Sequence, residues 1–278
     1  MSALIEIRDL NVTYRGQWPR RGTPVHALKN VSLSIPRGVA LGIIGESGSG
    51  KSTLGRVILR LQRPDSGSVQ VNGDDPFVLR GHALRHYRRS VQAVFQDSQA
   101  SLDPRMRIGD TVREGLDIHR IGNRDERLAR VEAVLEQVGL DAAYMRRFPH
   151  TLSGGQRQRV NIARSLILDP TLLVADEPVS SLDVAIQAQI LDLFADLRAR
   201  LGLTLVFISH DLSVVEALCD EVVILQQGRL VEQGPVGQVL ADPRERYTRE
   251  LLAAVPRLPP AAGRSRAPDT KAAEAVAR

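Results

Sequence analysis

The feature that most constrains this 278-residue chain is the segment at residues 45–52, which reads Gly-Glu-Ser-Gly-Ser-Gly-Lys-Ser. The segment has the form GxxxxGK[ST], it follows an apolar run at residues 39–44, and it precedes residues with helical spacing. A strand, a glycine-rich loop and a helix in this order form a phosphate-binding loop, because backbone N–H groups and the helix N-terminus surround an anion. The sequence therefore predicts a nucleoside triphosphate site.

The residue types within this loop predict separate contacts with the triphosphate. Lys51 is expected to reach the outer phosphates, and the Ser52 hydroxyl is expected to ligate Mg²⁺. The residues assigned to nucleotide binding here are Gly45, Ser47, Gly48, Ser49, Gly50, Lys51, Ser52 and Thr53. A chance glycine-rich turn is the alternative, and the flanking strand and helix patterns argue against it.

Composition places the chain among soluble globular proteins, as one large domain or two small ones. Hydrophobic residues make up 43% and charged residues 25% of the sequence, which is ordinary for that class. The single cysteine, Cys219, excludes an internal disulfide and a cysteine-built metal cluster within one chain. We expect a cytosolic chain, since no early apolar stretch has the length of a signal-peptide core or a membrane span.

The chain is basic, with a net charge of +5 and a pI near 9.8. A basic balance raises the hypothesis of a nucleic-acid partner. However, the arginines are scattered over the whole sequence and interleaved with Asp and Glu. This distribution favours a general solvated surface, part of which could equally face anionic lipids, and we predict no nucleic-acid partner.

The order of sequence patterns indicates an α/β fold. Two alternating runs, separated by a loop at residues 15–24, predict strands at residues 4–14 and 31–35. Further along the chain, strands are predicted at residues 172–175, 203–208 and 221–225, and helices at residues 184–201 and 212–218. Strands that alternate with helices predict a mostly parallel core sheet flanked by helices.

Between these two parts, residues 97–165 have helical periodicity, which is clearest at residues 124–138 and 157–168. We expect this stretch to form a helical subdomain inserted into a single domain of residues 1–255. Residues 256–278 contain mainly Pro, Ala, Gly, Ser and Arg without periodicity. They predict a disordered C-terminal tail.

An apolar strand that ends in two acids supplies the second part of a triphosphate site. Residues 172–175 are followed by Asp176 and Glu177. Hydrolysis of a triphosphate needs an acid that holds Mg²⁺ and a group that polarises the attacking water. We assign Asp176 to the metal and Glu177 to the role of general base; helix capping is the alternative role for such acids.

The segment Leu-Ser-Gly-Gly-Gln at residues 152–156 predicts a second anion-binding helix terminus. An ordinary N-cap with flexible glycines is the alternative. The chain thus contains two candidate phosphate cradles and one set of catalytic residues.

These motifs resemble those of the nucleotide-binding subunit of an ATP-binding cassette (ABC) transporter, and the resemblance covers nearly all of residues 4–255. In that family, residues 152–156 correspond to the signature sequence, and two subunits pair head to tail, so that the signature of one closes over ATP held by the other. The resemblance implies ATP and Mg²⁺ as cofactors and a P-loop NTPase cassette, with an N-terminal antiparallel β subdomain and an inserted helical subdomain. It assigns nucleotide contacts in the signature to Ser153, Gly154, Gly155 and Gln156.

The resemblance also implies roles for single residues outside these motifs. Tyr14 matches the aromatic residue that stacks on adenine, and Gln96 matches the glutamine that senses the magnesium ion and the water. His210 matches the switch histidine at the γ-phosphate. Residues 180–183 match a segment that crosses the dimer interface, with Ser181 where alanine is usual. The catalytic set is therefore Glu177, His210 and Gln96, and the metal set is Ser52, Gln96 and Asp176; their presence predicts an active ATPase.

Residues 95–106 narrow the resemblance to the peptide and nickel importer branch, especially the second ATPase of oligopeptide or dipeptide uptake systems. Residues 176–189 and 246–252 support the same branch, although Glu245 and Arg246 stand where His-Pro is more frequent. The implied partners are a second ABC ATPase subunit, two transmembrane permease subunits and an extracytoplasmic solute-binding protein. The implied location is the cytoplasmic face of the cell membrane, with residues 99–106 lining a groove for a permease coupling helix.

The sequence leaves three alternatives to the function of a peptide importer ATPase. The first is an ATPase for nickel or another small solute in the same branch. The second is a soluble ABC ATPase of translation or DNA repair, which would carry two cassettes or a long coiled-coil insertion. The third is a phosphate-loop kinase, which would lack the segment at residues 152–156.

Overall fold

Two β-sheets organise the part of the chain that the computed structural model describes, residues 3–15, 23–97 and 100–254. The strands are β1 (Ala3–Tyr14), β2 (Val25–Pro36), β3 (Ala40–Ile44), β4 (Ser66–Val71), β5 (Val91–Val94), β6 (Leu172–Asp176), β7 (Thr204–Ile208), β8 (Glu221–Gln226) and β9 (Arg229–Pro235). The helices are α1 (Lys51–Ile58), α2 (Gly81–Ser90), α3 (Ile108–His119), α4 (Arg124–Gln137), α5 (Gly154–Leu166), α6 (Val184–Leu201), α7 (Leu212–Leu218), α8 (Val236–Ala241) and α9 (Arg246–Ala254). The tail predicted at residues 256–278 lies outside the described residues.

The larger sheet has the strand order β5-β6-β7-β3-β8-β9. Its first five strands run parallel, and β9 pairs antiparallel with β8. The apolar runs predicted as strands supply its centre, where β3 and β7 are buried at every residue. The predicted α/β class with a mostly parallel core sheet is confirmed.

The smaller sheet is antiparallel, with the order β2-β1-β4, which confirms the antiparallel β subdomain. Strand β2 begins six residues before the predicted strand at residues 31–35. Alternation fails in the added part because Ala27 and Leu28 are consecutive and both buried. Register shifts between β1 and β2 and a positive φ of 51° at Asn30 accommodate this irregularity.

Helices α3, α4 and α5 and two short 3₁₀ helices, at Ala142–Arg146 and Pro149–Thr151, lie between β5 and β6. Buried residues of the three helices pack into one core cluster, among them Leu116, Leu135 and Val160. Helix α4 begins with a capping box, in which Asn123 accepts hydrogen bonds from backbone N–H groups and Glu126 bonds back to the Asn123 N–H. The grouping of α3, α4 and α5 as an inserted subdomain remains a prediction.

Among the described residues, none of the helices has the length and apolar character to span a membrane.

Helices α2 and α8 and strand β9 were not predicted from the sequence. Only Tyr87 is buried in α2, whose other residues are largely charged or polar, so no apolar stripe marks the helix. Helix α8 has six residues, which is too short for a periodic pattern. Tertiary contacts rather than local pattern therefore determine these elements.

Glu232 in β9 anchors the start of α9. Its carboxylate accepts hydrogen bonds from the backbone N–H groups of Arg244 (2.9 Å) and Glu245 (3.2 Å) and from the Thr248 hydroxyl. Glu232 is 8% exposed and Thr248 is fully buried. Burial raises the pKa of Glu232, but the hydrogen bonds from Thr248 and the two N–H groups outweigh it and hold the pKa below 4.5.

We predict that the stability conferred by this anchor depends on pH. Because the folded state lowers the pKa of Glu232, its carboxylate contributes stability above about pH 4.5, and the contribution disappears as the pH falls through the folded-state pKa. The thermal midpoint of Glu232→Gln should therefore lie below that of wild type near pH 7, and the gap should close as the pH falls through the lowered pKa of Glu232. Glu216→Gln, at an exposed position of α7, is the control and should show no such gap. A gap independent of pH would contradict the assignment.

Candidate active site

The residues predicted for catalysis follow four adjacent strands of the larger sheet. The phosphate-binding loop follows β3, Gln96 follows β5, Asp176 ends β6 with Glu177 after it, and His210 follows β7. These strands run parallel in the order β5-β6-β7-β3, so their carboxyl ends meet at one edge, where ligands bind in α/β sheets. The fold brings this predicted set together at that edge.

Glycine is required in the loop because neighbouring backbone packs against it. Gly45 has φ of 153°, and an added Cβ would lie 2.1 Å from the Leu225 carbonyl oxygen. Gly50 has φ of 108°, and its Cβ would lie 2.5 Å from the Ala27 carbonyl oxygen. Gly48 has φ of 80° with no atom within 4 Å of an added Cβ. The loop is therefore packed against other backbone at Gly45 and Gly50 and open at Gly48.

Lys51 is directed back into the loop. Its Nζ donates hydrogen bonds to the carbonyl oxygens of Gly45 (2.7 Å) and Glu46 (2.8 Å), and the residue is 5% exposed. Burial lowers the pKa of Lys51, and the carboxylates of Glu177, Asp176 and Glu46 oppose that shift. A phosphate in the loop would offer this ammonium a charged acceptor, which binds more strongly than a neutral carbonyl.

The hydroxyl of Ser49 is an unsatisfied polar group in the same loop. Its Oγ is buried and has no hydrogen-bond partner among the described residues. A buried polar atom without a partner costs free energy, so the group fits a loop that is completed by a polar ligand.

Ser52 and Asp176 form a pair of oxygen ligands suited to Mg²⁺. The Ser52 hydroxyl donates to Asp176 Oδ1 at 2.9 Å. Burial raises the pKa of Asp176, the Ser52 hydrogen bond lowers it, and the Glu177 carboxylate raises it further; the net shift is upward. A bound cation would counter this shift. Within the described residues no cluster of three or more His, Cys, Asp or Glu could hold a metal, so Mg²⁺ here would take further ligands from phosphate and water.

Glu177 lies beside His210. Glu177 Oε2 is 3.4 Å from His210 Nδ1, and the glutamate is largely buried while the histidine is exposed. The Glu177 backbone has a positive φ of 49°, and its N–H donates to the Ile208 carbonyl oxygen of β7 at 3.0 Å. A non-glycine residue in this conformation is strained and is held by its surroundings, which is frequent at functional sites.

Tyr14 and Gln96 lie at the borders of the site. Tyr14 Oη is 3.4 Å from Thr53 Oγ1 in the first turn of α1, which places the ring next to the loop. Gln96 is exposed and lies two residues after Val94, which pairs with Ala175 in β6. Their contacts with adenine, water and metal remain predictions.

The segment at residues 152–156 forms the N-terminus of α5. Ser153 Oγ accepts from the Gln156 N–H (3.3 Å), and Gln156 Oε1 accepts from the Ser153 N–H (3.0 Å), so the two residues form a capping box. Gly155 is buried, and an added Cβ would lie 2.5 Å from Ile186 Cγ2. Ser153 is exposed and Gly154 is partly exposed. Ser153 therefore acts as the N-cap of α5 within this chain. The contacts of these residues with a nucleotide remain a prediction.

Sequence reasoning missed two contacts that hold the loop from outside. The Gly228 N–H, in the turn between β8 and β9, donates to the Ser49 carbonyl oxygen at 2.9 Å. The Glu46 N–H donates to Tyr247 Oη of α9 at 3.2 Å. Tyr247 belongs to the segment at residues 246–252 that supported the family resemblance, but no local pattern indicates its contact with the loop.

Comparisons with known proteins match this chain over most of its length. The family model described as ABC transporter matches residues 28–180. A protein named as a peptide import ATP-binding protein of Brucella ovis is 49% identical over 253 residues, which cover 91% of this chain and 78% of the relative. The oligopeptide transport ATP-binding protein OppF of Streptococcus mutans is 42% identical over 264 residues, covering 95% of this chain and 85% of OppF.

Solved structures match the fold over most of the chain. The structure of cbiO1 from Clostridium perfringens, described as part of an ABC transporter complex, has a TM-score of 0.76 at 29% identity and covers 87% of this chain and 92% of its own. The ATP-binding cassette MJ0796, solved as a dimer bound to ADP and Pi, has a TM-score of 0.73 at 30% identity. The match covers 84% of this chain and 98% of the MJ0796 chain.

We predict that the loop tolerates alanine at Gly48 better than at Gly50. Both positions have positive φ, so each alanine should cost about 1–2 kcal/mol of backbone strain. Only at Gly50 does the new methyl group meet a backbone oxygen, which should add about 1–3 kcal/mol. Denaturant unfolding of the two variants measures this difference. Equal losses of stability would contradict the packing of Gly50 against β2.

Proposed function

Because this chain belongs to the ABC transporter family, we propose that it is the ATP-hydrolysing subunit that powers import of di- or oligopeptides through a membrane transporter. The observation that carries the proposal is the convergence of Lys51, Ser52, Asp176 and Glu177 at one edge of the parallel sheet. The relatives named for peptide import and oligopeptide transport support the substrate class. Nickel or another small solute is the alternative cargo.

ATP would bind with its phosphates in the phosphate-binding loop. The N-terminus of α1 and the loop N–H groups attract the anion, and Lys51 exchanges its bonds to two loop carbonyls for bonds to the outer phosphates. Tyr14, next to Thr53, would stack on the adenine. Ser52 and Asp176 would hold Mg²⁺, which supplies neutralisation of the phosphate charge.

Glu177 would accept the proton of the water that attacks the γ-phosphate. It directly follows Asp176 at the end of β6, and its backbone is held in a positive-φ conformation by the N–H bond to Ile208. His210, 3.4 Å from Glu177, would orient that carboxylate and contact the γ-phosphate, and Gln96 would position the water and the metal. The water oxygen forms the new bond to phosphorus, the bond to the ADP oxygen breaks, and ADP and phosphate are the products.

A second ABC ATPase subunit would complete each site. Ser153 and Gly154 are accessible at the N-terminus of α5, and a helix N-terminus favours an anion. One set of catalytic residues and two anion-binding termini per chain fit a head-to-tail pair, in which each ATP lies between a loop and a signature. The cassette MJ0796, solved as a dimer, supports the pairing of two cassettes. ATP binding would then drive closure because the closed pair binds ATP more tightly.

A groove beside β5 would receive a cytoplasmic helix of a permease subunit. A cavity of about 420 Å³ lies there, lined by 14 residues that include Phe95, Ser101, Ile118 and Arg164. Phe95 and Ile118 are exposed apolar side chains, which fit the apolar face of a helix. Ser101 lies in the predicted lining at residues 99–106, of which Gln99 lies outside the described residues.

The groove also provides a physical link to the nucleotide. Phe95 directly precedes Gln96, so a helix in the groove would contact the chain next to a predicted metal and water residue. We place the chain on the cytoplasmic face of the cell membrane, bound to two permease subunits that receive solute from an extracytoplasmic binding protein.

We predict that Glu177→Gln abolishes turnover while ATP binding persists. Loss of a general base typically lowers the rate by about 10² to 10⁴-fold, because glutamine cannot accept the proton. Lys51→Ala should instead weaken binding of ATP itself. ATP hydrolysis by the assembled transporter and equilibrium binding of ATP to the chain separate the two effects. Normal hydrolysis by Glu177→Gln would refute the proposed base.

The cargo is tested by uptake into cells that carry the wild-type or the Glu177→Gln chain. Uptake of a labelled tripeptide should require the wild-type chain. If the variant instead lost uptake of nickel and kept uptake of the tripeptide, the peptide assignment would be wrong.

We predict that Ile118→Arg separates the chain from its permeases. A charge in place of one of the two exposed apolar side chains of the groove should prevent docking, while ATP binding persists because Ile118 is 65% exposed and lies on α3. Leu201→Arg, at an exposed position at the end of α6, is the matched control and should still co-purify with membrane proteins. Equal recovery of permeases with both variants would contradict docking in this groove, and recovery of ribosomes or DNA would contradict the transporter assignment.

A further inference from the structure

The C-terminal helix α9 contacts the phosphate-binding loop directly. Tyr247 is 7% exposed and belongs to the same core cluster as Val236 and Val239, which fixes its ring. Its Oη accepts a hydrogen bond from the Glu46 N–H at 3.2 Å. A residue 201 positions away in the sequence thus satisfies a backbone donor at the start of the loop.

The backbone of Glu46 is hydrogen-bonded at both its N–H and its carbonyl oxygen. Its carbonyl oxygen accepts from Lys51 Nζ (2.8 Å) and from the Ser49 N–H (3.1 Å), and its N–H donates to Tyr247. Lys51 is expected to leave this carbonyl when it binds phosphate. The bond to Tyr247 comes from α9 and does not involve Lys51, so it can hold the loop both before and after ATP enters.

The anchor at Glu232 determines where the Tyr247 hydroxyl lies. Thr248, the next residue, is fully buried and donates its hydroxyl to Glu232, which also accepts two N–H groups at the start of α9. These bonds fix the first turn of α9, which carries Tyr247, against β9. Strand β9, helix α9 and the loop thus form one connected set of contacts.

We propose that Tyr247 is a positioning residue of the nucleotide site, whose hydroxyl accepts the Glu46 N–H and keeps the loop in the shape that binds ATP. The proposal rests on the proposed function of the loop as an ATP site. Without this acceptor, the Glu46 N–H is left unsatisfied in a part-buried contact, and part of the free energy of ATP binding goes into reordering the loop. Tyr247 contacts no reacting atom, so its effect belongs to binding and not to the hydrolytic step.

The test compares Tyr247→Phe with Tyr87→Phe in the full chain. Tyr87 is the matched control because it is 5% exposed and its hydroxyl also bonds a backbone group, the carbonyl oxygen of Ile58 at the opposite end of α1 from the loop. Calorimetric titration with a non-hydrolysable ATP analogue and Mg²⁺ gives the Kd. We expect Tyr247→Phe to raise the Kd about two- to tenfold, the effect of one neutral hydrogen bond, and Tyr87→Phe to leave it unchanged. In the assembled transporter, Tyr247→Phe should raise KM for ATP and leave kcat near wild type.

Glu232→Gln provides a second test, because it retains the phenol and weakens the anchor of α9. Its Kd should lie between those of wild type and Tyr247→Phe. Equal weakening of binding by Tyr247→Phe and Tyr87→Phe would overturn the proposal, since it would indicate a general loss of stability. If the folded variants at Tyr247 and Glu232 all kept the wild-type Kd, the positioning role of Tyr247 would also be overturned. Tight binding of the analogue by wild type would in that case still support the ATP site. A wild-type chain that does not bind the analogue would refute the ATP site as well.

Discussion

The candidate active site depends on the contacts that support the backbone of the phosphate-binding loop from outside. A loop that surrounds phosphate must direct polar backbone groups toward the ligand and still keep its shape, which requires contacts from outside the loop. Here those contacts come from four elements: Ala27 in β2 packs against Gly50, Leu225 in β8 packs against Gly45, Gly228 bonds Ser49, and Tyr247 in α9 bonds Glu46. Parts of the chain that lie far from the motif in sequence thus set its geometry.

The electrostatics of the site follow from burying opposite charges near one another. Burial alone disfavours the charged forms of Lys51 and Asp176, which shifts the pKa of the lysine down and that of the acid up. Their mutual attraction opposes both shifts. Such a site favours a ligand that brings its own opposite charges, a polyphosphate for the lysine and a divalent cation for the carboxylate, which is the composition of magnesium ATP.

Under the proposed function, the chain contains the two complementary halves of a site. The phosphate-binding loop with its acids lies at the carboxyl edge of the sheet, and the capped N-terminus of α5 presents Ser153 and Gly154 to solvent. The groove near Phe95 and Ile118 lies beside the strand that precedes Gln96. Under the proposed function, this chain therefore has one surface for a second ATPase and one for a permease, and the permease surface adjoins Gln96 in the sequence.

The sequence by itself determined the elements whose residues carry a periodic or motif signal: the strand, loop and helix around Lys51, the strand ending in Asp176, and helices α4, α6 and α7. It also identified the family, through the resemblance of residues 45–52, 152–156 and 176–177 to the motifs of that family. Only the tertiary structure decided the course of α2 and β9, the anchor at Glu232 and the bond from Tyr247 to Glu46. The physical reason is sequence separation. A periodic pattern shows which face of a single helix or strand is buried. A contact between residues 201 positions apart forms only after both segments have packed against the same sheet.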